Sequence, residues 1–208
     1  MARKTKAEAE KTRQLLLDAA LKLFSENGVA KTTLAQIASA CGMTRGAIYW
    51  HFEDKAAMLH ALFERSISPE MERLWRSITD EGADPLECLL KASRSFWHEL
   101  TRESNMRQVM MLYRQAEMVP ELSESLDELH CQEDSHMQQA LQMAHDQGKL
   151  HPGMSVSTAF LLFNAMHDGL TRLICSPRQC MQGVDLDALL DELIDGVGRA
   201  VRAPESAS

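Results

Sequence analysis

Thr33-Leu34-Ala35-Gln36-Ile37-Ala38-Ser39-Ala40-Cys41-Gly42-Met43-Thr44-Arg45-Gly46-Ala47-Ile48-Tyr49-Trp50-His51-Phe52 reads as two short helices joined by a tight turn. Thr33 is a good N-cap, and Gln36 stands three residues on, where a capping box needs Glu or Gln. Leu34, Ile37, Ala38 and Cys41 recur at helical spacing and make one apolar face. Gly42 falls where a helix C-terminus calls for a left-handed residue. Thr44 caps the second helix, and Ile48 and Phe52, four residues apart, form its buried side.

The other side of that second helix has the chemistry of a nucleic-acid reader. At 100° per residue, Gly46 and Trp50 point away from Ile48 and Phe52, with Tyr49 beside them. Arg45 lies in the first turn, the part of a recognition helix that reaches base edges. Gly46 lets the helix approach a duplex closely. Thr33, Thr44, Tyr49, Trp50 and His51 supply hydrogen-bond donors for phosphate. Lys55 comes in the first turn of the next helix. A lysine there opposes the helix dipole, so a phosphate partner is expected for it.

At these residues the chain resembles the helix-turn-helix of TetR-type bacterial transcriptional regulators. The resemblance covers roughly residues 10–65. Within and just before that span it is carried by Arg3-Lys4-Thr5-Lys6, Thr12-Arg13, Gly28-Val29-Ala30, Thr32-Thr33-Leu34, Ile37-Ala38 and Thr44 through Phe52. It is greatest to the branch that holds AcrR-like repressors of multidrug efflux pumps. The resemblance implies an all-α homodimer with an N-terminal helix-turn-helix domain and a C-terminal helical domain for ligand binding and dimerisation.

Charge is divided along the chain in the way a DNA binder requires. Residues 1–55 hold nine Lys/Arg against six Asp/Glu, a net +3. The other thirteen basic and twenty-four acidic residues leave −11, together the −8 of the 208-residue chain. The basic surplus lies where DNA contact is expected, and the acidic remainder disfavours nonspecific binding. The longest apolar run, Ala159 to Phe163, is too short to span a bilayer. The opening residues lack an apolar core, so no signal peptide is expected. Five cysteines without a Cys-x-x-Cys argue against a disulfide framework, and a cytoplasmic location is expected.

Periodicity predicts helices throughout. The first spans about 7–27, with Leu16, Ala19, Ala20, Leu23 and Phe24 inward and Gly28 as its stop. Asp54 caps a helix to about Ser66. Ser68-Pro69 predicts a break or kink, and 70–79 reads as helix again, a candidate continuation of the preceding one. Further helices are predicted at 85–102, 104–117, 121–147, 155–175 and 185–201. Residues 1–66 are expected to be the DNA-binding domain, 67–203 the ligand-binding and dimerisation domain, and 204–208 a polar tail. The basic arm Arg3, Lys4 and Lys6 reads either as a loose terminus or as a minor-groove tail.

Residues 155–175 are apolar nearly all round, and 185–201 offer a matching stripe. Packed against their copies, they would form a four-helix dimer interface, with Phe160, Met166, Leu170, Leu186, Leu189, Leu190, Leu193 and Val197 as candidate contacts. Thirteen methionines suit an adaptable apolar pocket. The resemblance places that pocket among the fourth to eighth helices, with Phe63, Ser93, Phe96, Trp97, Val109, Met110, Tyr113, Met137, Leu141, Phe163, Asn164 and His167 as candidate lining. Asn164 and His167 are singled out because polar groups on an apolar helix need partners. The bland alternative for these residues is plain core.

His130, Cys131, Glu133, Asp134 and His136 share one helix, and a solvated polar face accounts for them better than a metal site. Cys41 reads as a small buried helix residue rather than a redox switch. No catalytic motif is present, and neither an enzyme nor a bound cofactor or metal is expected. The expected partners are a pseudo-palindromic double-stranded operator, a small apolar or amphipathic inducer, and a second copy of the chain. Three further readings stay open: a TetR-type regulator of another pathway such as acyl-thioester metabolism, a metal or redox sensor, and a ligand-free architectural DNA protein.

Overall fold

Among the described residues of the computed structural model there are ten α-helices: α1 (Lys6–Asn27), α2 (Leu34–Ala40), α3 (Arg45–Ile48), α4 (Lys55–Ser66), α5 (Pro69–Ser77), α6 (Pro85–Thr101), α7 (Asn105–Ala116), α8 (Pro120–Asp146), α9 (Val156–Cys175) and α10 (Leu186–Val201). The structure describes residues 6–80, 82–102, 104–176 and 183–204, without the side chains of 129–133. No strand occurs among the described residues. Packing separates two units. The first holds the described residues of Met1–Ser66 and Gln108–Leu129, the second those of Ile67–Arg107 and His130–Ser208.

The starts of α2, α4, α5, α6, α9 and α10 have local causes. Thr33 accepts from the Gln36 amide at 3.2 Å, and Gln36 Oε1 accepts from the Thr33 amide at 2.8 Å, closing the capping box. Asp54 Oδ1 accepts from the Ala57 amide at 2.7 Å at the head of α4. Ser68 caps α5 through the Met71 amide at 3.2 Å, and Pro69 fills the first helical position. That pairing starts a new helix, so 70–79 does not continue α4: the segment is the separate helix α5, which ends at Ser77. Asp84 with Pro85, Ser155 and Asp185 begin α6, α9 and α10 in the same manner.

The first unit is built on Leu16, Leu17, Ala20 and Phe24 of α1. They bury against Leu34, Ile37 and Ala38 of α2, Ile48, Phe52, and Met58, Leu59 and Leu62 of α4. Val109, Leu112, Tyr113, Ala116, Leu122 and Leu126 belong to the same cluster, a packing that the helix pattern alone did not indicate. Gly28, at φ +81°, turns the chain off the end of α1.

In the second unit α6 packs on α5, α9 and α10. Trp97 and Leu100 are fully buried in its interior, as are Leu86 and Leu89. Gly198 of α10 sits so near α6 that a Cβ there would meet Leu90 Cδ1 at 3.1 Å. A polar seam runs beside this contact. Arg94 binds Asp191 and, at 2.6 Å, Asp195. His98 bridges Asp187 and Asp191, and Thr101 donates to Asp187 at 2.8 Å. Beyond α10, Arg202 reaches Asp84 and Glu87, while the His151 amide donates to Val201 O and the Ala203 amide to Lys149 O, each at 2.8 Å. The Arg202 pairs tie the chain after α10 to the head of α6, and the backbone bonds tie the end of α10 to the turn after α8.

Candidate nucleic-acid interface

The turn of the helix-turn-helix is fixed by backbone. Gly42 takes φ +69°, which leaves the Met43 amide to donate to Ala38 O at 2.8 Å. Thr44 then accepts from the Ala47 amide at 3.3 Å and opens α3. The α-helix proper is only four residues long and passes into turns over Tyr49–His51, although the Phe52 amide still bonds Ile48 O at 3.0 Å. Ile48 and Phe52 anchor it from below. Arg13 lies over the Phe52 ring, 5.5 Å from its centre, and reaches Glu64 at 3.9 Å.

On the opposite side everything faces solvent. Arg45 and Gly46 are exposed, Tyr49 is 47% and Trp50 90% accessible. Such exposure is unusual for tryptophan, whose large apolar surface is normally covered. No atom lies within 4 Å of where a Gly46 Cβ would stand, so nothing inside the chain requires glycine there. Thr44 is exposed and its hydroxyl is also a cap; Thr33 is exposed and engaged with Gln36. His51 is half-buried, its ring tilted against Phe52. The structure thus brings Thr44, Arg45, Gly46, Tyr49 and Trp50 to one surface.

Lys55 differs from expectation. Its ammonium donates to Val29 O at 3.0 Å and Ala30 O at 3.5 Å, so the partner sought in phosphate is supplied by the turn after α1. Cys41 Sγ lies 3.4 Å from Leu15 O, and burial, with the Asp18 charge, raises its thiol pKa. A raised pKa reduces thiolate, the reactive form.

The twelve pocket candidates fall in two groups. Phe63, Val109, Met110 and Tyr113 belong to the first unit, where the Phe63 and Tyr113 rings meet edge-on at 6.0 Å. Ser93, Phe96, Trp97, Met137, Leu141, Phe163, Asn164 and His167 belong to the second. There the His167 ring lies 4.3 Å from that of Trp97 and 5.4 Å from that of Phe96, and Nε2 hydrogen-bonds with Ser93 Oγ at 3.3 Å. The residue retains some exposure, yet enclosure of the ring pushes its pKa down to about 4, so it is neutral near pH 7. Trp97 Nε1 has no acceptor among the described residues. Asn164 donates to Asp134 at 3.3 Å. A groove of about 540 Å³ between α8 and α9 is lined by Gln138, Gln142, Phe160 and Leu161 among others, and by none of the twelve.

Of the eight association candidates, Leu190 is 1% and Leu170 8% exposed. Both are core of their own chain, since their side of the helix faces inward, and neither is available to a partner. Phe160, Met166, Leu186, Leu189 and Val197 are half-buried and Leu193 is 38% exposed. Leu161, at 65%, is an exposed apolar residue that the sequence reading left out, although it sits inside the longest apolar run. Of the acidic and His/Cys cluster, the side chains of His130, Cys131 and Glu133 lie outside the described residues. Arg3, Lys4 and the tail from Glu205 lie outside them too. Among the described residues no three His, Cys, Asp or Glu are grouped to hold a metal, and no helix is long and apolar enough to cross a membrane.

Residues 16–62 match the family described as bacterial regulatory proteins, tetR family. The HTH-type transcriptional regulator TtgR of Pseudomonas putida is 35% identical over 179 residues, covering 83% of this chain and 84% of TtgR. NalD, the secondary repressor of the MexAB-OprM multidrug efflux pump in Pseudomonas aeruginosa, superposes with a TM-score of 0.73 at 30% identity, over 95% of this chain and 98% of NalD. SmeT, the repressor of the Stenotrophomonas maltophilia multidrug efflux pump SmeDEF, gives 0.74 in its complex with triclosan, at 30% identity and 94% and 93% coverage.

Proposed function

The chain belongs to the tetR family of bacterial regulatory proteins, and from that premise we propose that it is a cytoplasmic transcriptional repressor of a multidrug efflux pump operon. The observation that carries the reading is the surface of α3. Trp50, Tyr49, Arg45 and Gly46 are presented to solvent by a helix whose other face is fixed in the core. One recognition helix covers too few base pairs for specificity, so two chains act together on a pseudo-palindromic operator, with their α3 helices in successive major grooves. Exposed Leu161 and Leu193, with half-buried Phe160, Met166, Leu186, Leu189 and Val197, supply the apolar contact between copies.

An apolar or amphipathic small molecule bound by the helical second domain releases the operator. The similarity to NalD and SmeT, repressors of multidrug pumps, supports the target, and the SmeT–triclosan complex supports the ligand class. Coupling is reciprocal: the operator must weaken inducer binding by the factor by which inducer weakens operator binding. The test is a titration of dyes, antibiotics and phenols against the protein held on DNA from upstream of its own gene and of neighbouring pump genes. Specific binding with release by some of these compounds is expected. Affinity no greater for that DNA than for random duplex, or release by none of the compounds, would overturn the proposal.

A further inference from the structure

His98 and Arg94 stand one turn apart on α6, opposite Asp187, Asp191 and Asp195 on successive turns of α10. His98 Nδ1 lies 3.0 Å from Asp187 Oδ1, and Nε2 lies 3.0 Å from Asp191 Oδ1. An ionised carboxylate only accepts hydrogen bonds, whereas a neutral imidazole has one donor nitrogen and one acceptor nitrogen. The two bonds therefore coexist only when both ring nitrogens carry protons. After deprotonation, one nitrogen lone pair would face a carboxylate oxygen at the same distance. The side chain is 23% exposed, so water only partly relieves that opposition.

Neighbouring groups engage the same carboxylates. Arg94 holds Asp191 and Asp195, Thr101 holds Asp187, and the Arg102 charge also acts on Asp187. The other helices packed on α6 bring Glu70, Glu72, Arg73 and Arg76 from α5 and Asp168 and Arg172 from α9. Among the described residues His98 makes no hydrogen bond or ion pair with any of them.

We propose that His98 is a proton-held clamp: as an imidazolium it pins the first turns of α10 to α6, and loss of its proton frees that end of the helix. Burial pulls the His98 pKa down, but hydrogen bonds and charge from Asp191 and Asp187 outweigh it and hold the pKa above 6.5. The Thr101 hydroxyl, followed by His98, holds the Asp187 pKa below 3.8, and the His98 bond does the same for Asp191. For a base whose folded pKa is raised, the contribution is complete below 6.5 and is lost as pH rises through the folded value. The carboxylates set the acid limit, below 3.8. The clamp lies within one chain and does not depend on the DNA reading. Its consequence for association, a looser α10 at alkaline pH, rests on the proposed role of that helix.

The experiment uses the full chain. Long-range ¹H–¹⁵N spectra follow the His98 ring from pH 5 to 9, and amide hydrogen exchange, corrected for its intrinsic pH dependence, follows residues 186–191. Both ring nitrogens are expected to be protonated at pH 6.5, with titration above that value. The opening constant of α10 should climb between 6.5 and the folded pKa, by no more than tenfold per pH unit, then level off. His98→Arg, charged at every pH, should flatten the profile in the closed state. His98→Gln should flatten it in the open state, and if that variant does not fold, the ring spectra and His98→Arg still decide. A His98 that titrates at or below 6.5, or an α10 profile that His98→Arg leaves unchanged, would overturn the clamp. Sedimentation and operator binding are read separately: a monomeric chain, or one indifferent to operator, would overturn the proposed function and leave the clamp standing.

Discussion

Gly46→Ala should move stability and DNA binding in opposite directions. Gly46 is the second residue of α3, without positive φ, and a Cβ built on it meets nothing within 4 Å. Alanine therefore fits without strain, and the fold gains what glycine costs a helix, about 0.5 kcal/mol in a first turn where the full interior penalty of roughly 1 kcal/mol is not reached. For a chain of this size that is a rise of about 1–2 °C in melting temperature, carried by the first unit. On DNA the new methyl projects from the exposed side, beside Arg45 and Trp50. If the backbone there closes on a phosphate, the methyl holds the duplex away and loosens at least one charge-assisted hydrogen bond. That loss is about 1.5–3 kcal/mol, or roughly ten- to a hundredfold in affinity. Calorimetric melting and fluorescence anisotropy on an operator duplex measure the two effects in one preparation. Operator affinity unchanged alongside a higher melting temperature would refute close approach at Gly46. A lower melting temperature would refute the reading of its free space.

Lys55→Gln should destabilise the first unit by about 1–2 kcal/mol, because it removes a cationic donor from two backbone carbonyls. It should leave the slope of log affinity against log salt unchanged; a slope smaller by about 0.9 would show that the lysine neutralises a phosphate after all. Leu193→Glu should yield folded monomers in light scattering, whereas Leu190→Glu, at a site 1% exposed, should yield unfolded protein; monomers of equal stability from both would show that Leu190 is not core. His167, whose folded pKa of about 4 lies below its ordinary 6.5, should make stability fall as pH drops from 6.5 to 4, by at most about 2–3 kcal/mol. His167→Gln should flatten that limb of a pH–melting curve, and an unaltered limb would assign it to the carboxylates.

What the sequence disclosed was local. Thr33 with Gln36, Thr44 and Asp54 act on amides three residues away, so those helix starts could be read where they occur; Ser68 acts on the Met71 amide in the same way, but Ser68-Pro69 is equally the pattern of a kink, and the new start was not told apart from one. The face of α3 was legible for the same reason: with Ile48 and Phe52 inward, geometry puts Arg45, Gly46, Tyr49 and Trp50 outward. Pairings made across the chain were not. Lys55 meets carbonyl oxygens twenty-five and twenty-six residues back, and a carbonyl has no residue-specific signature. Arg94 and His98, like Asp187, Asp191 and Asp195, show a visible four-residue spacing. That two such polar stripes face each other depends on helix packing about ninety residues apart. Leu190 failed as an association residue because a stripe wider than one contact is shared between core and surface, and periodicity does not divide it.

The arrangement of α3 has a bearing on how operator preference can change. Two positions, Ile48 and Phe52, hold the helix in place, while Arg45, Gly46 and Trp50 are exposed and Tyr49 is about half covered. The two sets do not overlap. Substitutions in the outward set leave the interior undisturbed, so the lexicon of bases recognised can be rewritten at almost no cost to folding. With only four helical residues, α3 has no independent stability to bring to a new host, and a transplanted segment would arrive without its shape. Diversification of operators is therefore open to point substitution on this scaffold and closed to exchange of the isolated helix.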